Sequence, residues 1–220
     1  ALGNLYSQGE LADESMEKRV YWYDRGAESG NSEAMVLLGD LYNSDGEKRN
    51  YIKAAELYEK AVKEGNNQAI LKLGDLYSSA EGLKDNDKAI RYYEISASNR
   101  DTTAMNRLGY AYYEGKITAK NYSKAVEWYK KSADSGDSDG MVSLGYMYIY
   151  GIGIQKDYKK AKALYEKAAS LNNVNAVNNL GLIYYNGVEE QKIIKKHLSS
   201  LKNQQTCKAA KECSLLGLCT

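Results

Sequence analysis

Proline is absent from this chain, phenylalanine is absent, histidine occurs once and cysteine three times. The lack of proline removes the residue that most often breaks helices, which suits a chain that is almost all helix. The lack of phenylalanine, beside 21 tyrosines, means that aromatic core positions fall to Tyr. We have no physical account of the missing Phe. His197 sits in Lys195-Lys196-His197-Leu198, a lysine-rich helix face, and lacks the partners that catalysis or metal binding requires, so it reads as a surface residue. Cys207, Cys213 and Cys219 lie six residues apart, a spacing that drifts around a helix. With no fourth cysteine and no nearby ligand histidine they make no zinc set. Reduced thiols are expected, with one disulfide and one free Cys as the alternative in an oxidising compartment.

Charge of one sign is lacking too. Thirty Lys and Arg against 29 Asp and Glu leave a net charge of +1, which gives no electrostatic case for nucleic acid or an anionic membrane. No window approaches about 18 consecutive apolar residues, so no direct membrane insertion is expected. No Gly-rich phosphate loop, nucleophile elbow or metal-ligand cluster occurs, so no catalytic residue, metal or cofactor is expected. Asn121-Tyr122-Ser123 fits the N-glycosylation pattern, which is common by chance. Ala1-Leu2-Gly3 already lies inside the motif described next, with no initiator Met before it, and the expectation is a fragment or a processed product.

What is present is a repeat. Leu-Gly recurs at Leu2, Leu38, Leu73, Leu108, Leu144, Leu180 and Leu216, in steps of 35 or 36. Three residues after the first six glycines comes a tyrosine: Tyr6, Tyr42, Tyr77, Tyr112, Tyr148 and Tyr184. A second block lies between these pairs: Lys53-Ala54 before Leu57-Tyr58, Lys88-Ala89 before Tyr92-Tyr93, Lys124-Ala125 before Trp128-Tyr129, and Lys160-Ala161 before Leu164-Tyr165. Each unit therefore holds two short helices, A with Leu-Gly-x-x-Tyr and B with Lys-Ala-x-x-x-Tyr. Ala34, Leu38 and Tyr42 fall on one stripe of helix A, and Ala54, Leu57, Tyr58 and Ala61 on one stripe of helix B. Glycine inside a helix costs about 1 kcal/mol against Ala. Its return at one register predicts a close approach that a Cβ would obstruct. A lone hairpin cannot bury its stripe, whereas stacked hairpins form a continuous core.

These residues resemble the Sel1-like repeat, a relative of the tetratricopeptide repeat. The strongest match runs from Gly151-Ile152-Gly153 through Lys160-Ala161 to Ala168-Ala169, and Glu127-Trp128-Tyr129 to Gly136 is similar. The usual loop proline is missing, with Gln155 near its place. The resemblance implies an all-α, right-handed superhelical solenoid of about six helix-turn-helix repeats over 1–187. Residues 188–220 read as a degenerate repeat or cap, with Glu212 where a small residue is expected. It also implies a concave face lined by A helices and a role in assembling protein complexes.

By analogy with tetratricopeptide geometry, the residues one, four and five after each Leu-Gly face the groove. They are polar early in the chain (Asn4, Ser7, Gln8, Asp40, Asn43, Ser44, Asp75, Ser78, Ser79) and aromatic or apolar later. The candidate binding residues are Tyr110, Tyr113, Tyr146, Ile149, Tyr150, Leu182 and Tyr185, with Asp40 and Asp75 at the acidic end. The competing reading packs these tyrosines against the adjacent repeat. The leading function is a scaffold or adaptor holding another protein or peptide on the concave face. The alternative is a structural subunit of a larger assembly or surface array. A third is an enzyme like the cysteine-rich relatives linked to β-lactams, whose constellation is not matched here.

Overall fold

A computed structural model describes residues 16–44, 49–185 and 187. Ten helices follow one another among the described residues, and no strand occurs there. They are α1 (Met16–Glu28), α2 (Ser32–Asn43), α3 (Tyr51–Lys63), α4 (Asn67–Ser79), α5 (Asn86–Ser98), α6 (Thr102–Glu114), α7 (Tyr122–Asp134), α8 (Ser138–Tyr150), α9 (Tyr158–Ser170) and a helical stretch over 174–185, α10. The even-numbered helices are the A helices and the odd-numbered ones the B helices. Each helix packs on the next, and A helices also touch the A helix of the following repeat. The result is a solenoid whose buried core forms two hydrophobic clusters, one from Met35 to Leu108 and one from Tyr112 to Ala176, with Trp128 packed against both.

Why the helices begin where they do is local chemistry. An Asn or Asp caps every A helix from α2 to α8 (Asn31, Asn66, Asp101, Asp137) and every B helix from α3 to α9 (Asn50, Asp85, Asn121, Asp157). Each side-chain oxygen accepts a backbone N–H of the first turn, which satisfies a donor that the helix itself cannot. Asn121 is thus a cap, accepting from the Lys124 N–H at 3.0 Å. The turn from B to the next A is set by a left-handed residue: Gly30, Gly65 and Gly136, but Arg100 (φ 65°) and Asn172 (φ 62°) at the matching places. The turn from A to B is closed by one backbone bond per repeat. The cap N–H of Asn50, Asp85, Asn121 or Asp157 donates to the carbonyl of Tyr42, Tyr77, Tyr112 or Tyr148.

The repeated side chains now acquire roles. Leu38, Leu73, Leu108 and Leu144 are buried, as are Ala54, Ala89, Ala125 and Ala161. The glycines of four Leu-Gly pairs lie beneath the B-helix tyrosine of their own repeat. A Cβ there would meet ring carbons at 2.6 Å for Gly39 on Tyr58, 2.6 Å for Gly74 on Tyr93, 2.5 Å for Gly109 on Tyr129 and 2.5 Å for Gly145 on Tyr165. The close approach expected from the sequence is therefore helix A against an aromatic ring. The Lys of each Lys-Ala lies over the A-helix tyrosine: Lys53 on Tyr42, Lys88 on Tyr77, Lys124 on Tyr112 and Lys160 on Tyr148, at 4.8–5.5 Å.

His197, Cys207, Cys213 and Cys219 lie outside the described residues, as do the proposed cap over 188–220 and Asn4, Ser7, Gln8 and Asn186. No helix among the described residues is long and apolar enough to cross a membrane.

Candidate functional site

At Asp40, Asp75 and Tyr110 the residue after Leu-Gly lies beside its own B helix and the next A helix. In two repeats this position is an aspartate. Asp40 accepts a 2.6 Å hydrogen bond from the Tyr58 hydroxyl and pairs with the Lys72 ammonium at 2.9 Å. Asp75 accepts a 2.8 Å bond from the Tyr93 hydroxyl and a 3.0 Å bond from Arg107 Nε. Each carboxylate thus ties together helix A, helix B and the following A helix. Burial first, and then the Asp40 carboxylate, push the Tyr58 hydroxyl pKa far up; burial and Asp75 do the same to Tyr93. Both phenols therefore stay protonated and keep donating.

The next two repeats abandon this arrangement. Tyr110 and Tyr146 replace the aspartates, and Ser143 and Asn179 stand where Lys72 and Arg107 stood. The matching B-helix tyrosines, Tyr129 and Tyr165, remain buried, and among the described residues their hydroxyls have no hydrogen-bond partner. Burial pushes the Tyr165 hydroxyl up to about 12, with no carboxylate among the causes. A cavity of about 260 Å³ lies there, lined by Tyr110, Tyr113, Tyr129, Val142, Ser143, Tyr146, Met147 and Asn179.

The rings form a cluster. Tyr113 meets Tyr146 edge-on at 6.3 Å, and Tyr146 leans on Tyr150 at 4.6 Å. The neighbouring Tyr146 hydroxyl and burial push Tyr113 up to about 12. Tyr110 and Tyr150 are more than half exposed, and Tyr146 is 40% exposed. A second cavity of about 470 Å³ adjoins this one through Tyr110 and is edged by Asp75, Ser78, Ser79 and Glu114.

The structure thus gathers Tyr110, Tyr113 and Tyr146 around one cavity, with the Tyr150 ring tilted against Tyr146 beside it. Ile149 is half-buried within the second hydrophobic cluster. Leu182 and Tyr185 are exposed on α10. Asp40 and Asp75, expected as an acidic end of the groove, are occupied by internal bonds, although Asp75 also lines the second cavity. Sequence reasoning missed Tyr129, Ser143 and Asn179. The signal was present: the change from Asp to Tyr coincides with the loss of a cation about one repeat later. Among the described residues no group of three His, Cys, Asp or Glu could hold a metal ion.

The Sel1 repeat profile matches residues 1–31, 32–66, 67–101, 102–137, 138–173 and 174–194. The chain belongs to the Sel1 repeat family. Its match to c5321, described as a protective antigen of uropathogenic Escherichia coli strains displaying an SLR fold, has 31% identity and a TM-score of 0.71. That match covers 85% of this chain but only 40% of the E. coli protein. A Sel1 repeat protein from Oxalobacter formigenes is also 31% identical with a TM-score of 0.71, over 83% of this chain and 76% of that one. Helicobacter pylori cysteine-rich protein B matches 61% of this chain and 98% of its own length at 27% identity, with a TM-score of 0.50. A comparison with curated protein sequences finds no match. Sel1 repeat proteins are in general scaffolds for protein interaction and are typically not enzymes.

Proposed function

We propose that this Sel1 repeat chain is a scaffold or adaptor that holds a segment of another protein on the face built by its A helices, centred on Tyr110 and Tyr146. One observation carries the reading. The Asp–Tyr–cation bonds made at Asp40 and Asp75 are missing from the next two repeats, and a cavity lined by tyrosines and by no charged residue lies there. Tyrosine suits such a surface: it brings a large rigid apolar area with a polar tip, and aromatic residues dominate the energetics of protein contacts. Ile149, Leu182 and Tyr185 would extend the same surface.

The test is a random peptide library selected on the purified protein, followed by titration of the selected peptides against Tyr110→Ala/Tyr146→Ala/Tyr150→Ala. Circular dichroism first establishes equal helicity. A loss of affinity of about tenfold or more, roughly 1.4 kcal/mol, is expected. Peptides that bind wild type and variant equally well would place the contact elsewhere and overturn the assignment.

A further inference from the structure

Of the eight tyrosines that are 40% or more exposed among the described residues, four lie beneath one of the chain's own cations. Besides the four repeat pairs already described, Lys120 lies over Tyr122, Lys156 over Tyr158 and Lys162 over Tyr184, at 4.7–5.7 Å. Around the cavity between α6 and α8 the habit stops. Among the described residues no Lys or Arg lies over Tyr110, Tyr113, Tyr146 or Tyr150, although three of these rings are 40% exposed or more. Ring faces carry the negative end of the aromatic quadrupole and attract a cation within about 6 Å.

The rest of the lining agrees. No residue that lines the cavity is charged. Its polar groups are phenol hydroxyls, the Ser143 hydroxyl and the Asn179 amide, each with an oxygen able to accept a hydrogen bond and an O–H or N–H able to donate one. The cations on the neighbouring cavity are already bound: Arg107 to Asp75 at 3.0 Å and Lys116 to Glu114 at 2.9 Å. Glu114 is close enough to act on the Tyr113 and Tyr129 hydroxyls. An incoming anion would meet ring faces and a carboxylate; an incoming cation would meet neither penalty. The volume, about 260 Å³, falls below the 300–1,000 Å³ of pockets for drug-sized ligands and suits one long side chain. Between the two basic side chains, guanidinium fits better. It is planar, stacks on aromatic faces, is weakly hydrated and offers five donors to the ring of acceptors.

We propose that the tyrosine cavity between α6 and α8 is a cage for an arginine side chain of the bound protein. This rests on the scaffold reading and specifies its partner chemistry. The repeat itself supplies the rationale: where Asp40 and Asp75 take an internal cation, the tyrosine repeats leave that place to a ligand.

The test titrates N-acetylarginine amide into protein carrying isotope-labelled tyrosine rings, which are assigned through single Tyr→Leu variants. Saturable shifts at Tyr110, Tyr113 and Tyr146 are expected, with N-acetylcitrulline amide, the neutral isostere, binding about tenfold more weakly. The variant Tyr110→Asp/Ser143→Arg rebuilds the lock of the earlier repeats and should abolish the shifts while keeping the helical circular dichroism. Equal binding of citrulline, stronger binding of N-acetylglutamate amide, or undiminished binding to the lock variant overturns the cage. If selected peptides depend on the tyrosines but need no arginine, the cage fails and the scaffold reading stands. If no probe moves these rings and no selected peptide depends on them, both fail.

Discussion

Alanine at Gly74 would place a methyl carbon 2.6 Å from two ring carbons of Tyr93. Carbon atoms rest at about 3.5–4.0 Å, so the ring has to retreat by about 1 Å. It is not free to do so. Its hydroxyl donates to Asp75 at 2.8 Å, and Asp75 in turn holds Arg107 at 3.0 Å. Overpacking a well-filled core costs about 1–3 kcal/mol. Disturbing the phenol hydrogen bond adds about 1 kcal/mol, and the better helix propensity of Ala offsets about 1 kcal/mol. The expected net loss for Gly74→Ala is about 2 kcal/mol. Gly109→Ala makes the same collision with Tyr129, at 2.5 Å, but among the described residues that hydroxyl has no hydrogen-bond partner to pin its ring. Its expected loss is smaller, about 1 kcal/mol. Gly181→Ala meets nothing within 4 Å among the described residues and should reverse the sign, gaining up to about 1 kcal/mol. Urea unfolding followed by far-ultraviolet circular dichroism ranks the three variants. A neutral or stabilising Gly74→Ala, or one no worse than Gly109→Ala, would refute the argument that a pinned ring sets the cost.

Three further outcomes are expected. Asp40→Ala strands the buried Tyr58 hydroxyl and should cost about 2 kcal/mol in the same assay, most of it from the unpaired phenol, because the half-exposed Lys72 pair contributes little. Asp137 is pushed up by burial, but bonds from Asn106, the Gly140 N–H, Ser132 and Thr102 outweigh this and hold its carboxyl below the usual carboxylate range. A lowered folded-state pKa gives stability that is full above the unfolded value of about 4 and is lost as pH falls through the folded value. Asp137→Asn should therefore destabilise the protein near neutral pH and flatten the acid side of its stability profile, as read by thermal melts across pH. Arg100 holds a left-handed φ of 65° where three other repeats have glycine, so Arg100→Gly should raise the melting temperature, corresponding to about 0.5 kcal/mol once the added unfolded-state entropy is deducted.

Much of the site is written in the chain, but only part of it can be read there. That Tyr110 and Tyr146 share a register with Asp40 and Asp75 follows from counting residues after each Leu-Gly. That the two aspartates are already taken does not follow, because their partners are 18 and 32 residues away. Only the packing of three helices brings Tyr58 and Lys72 to one carboxylate. The Asx caps are different. Asn50, Asp85, Asn121 and Asp157 each stand just before the B helix, and that signal is local and visible without any coordinates.

The sequence by itself determined the period, the paired helices, their caps and the need to stack. These depend on residues a few positions apart and on an apolar stripe that one hairpin cannot bury. Tertiary structure decided which ring covers each glycine, which lysine lies over each tyrosine and which polar groups are left over. Those depend on angstrom-scale distances between different helices, and a change of two lock residues separates the bonded Asp75, Tyr93 and Arg107 from the tyrosine-lined cavity at Tyr110.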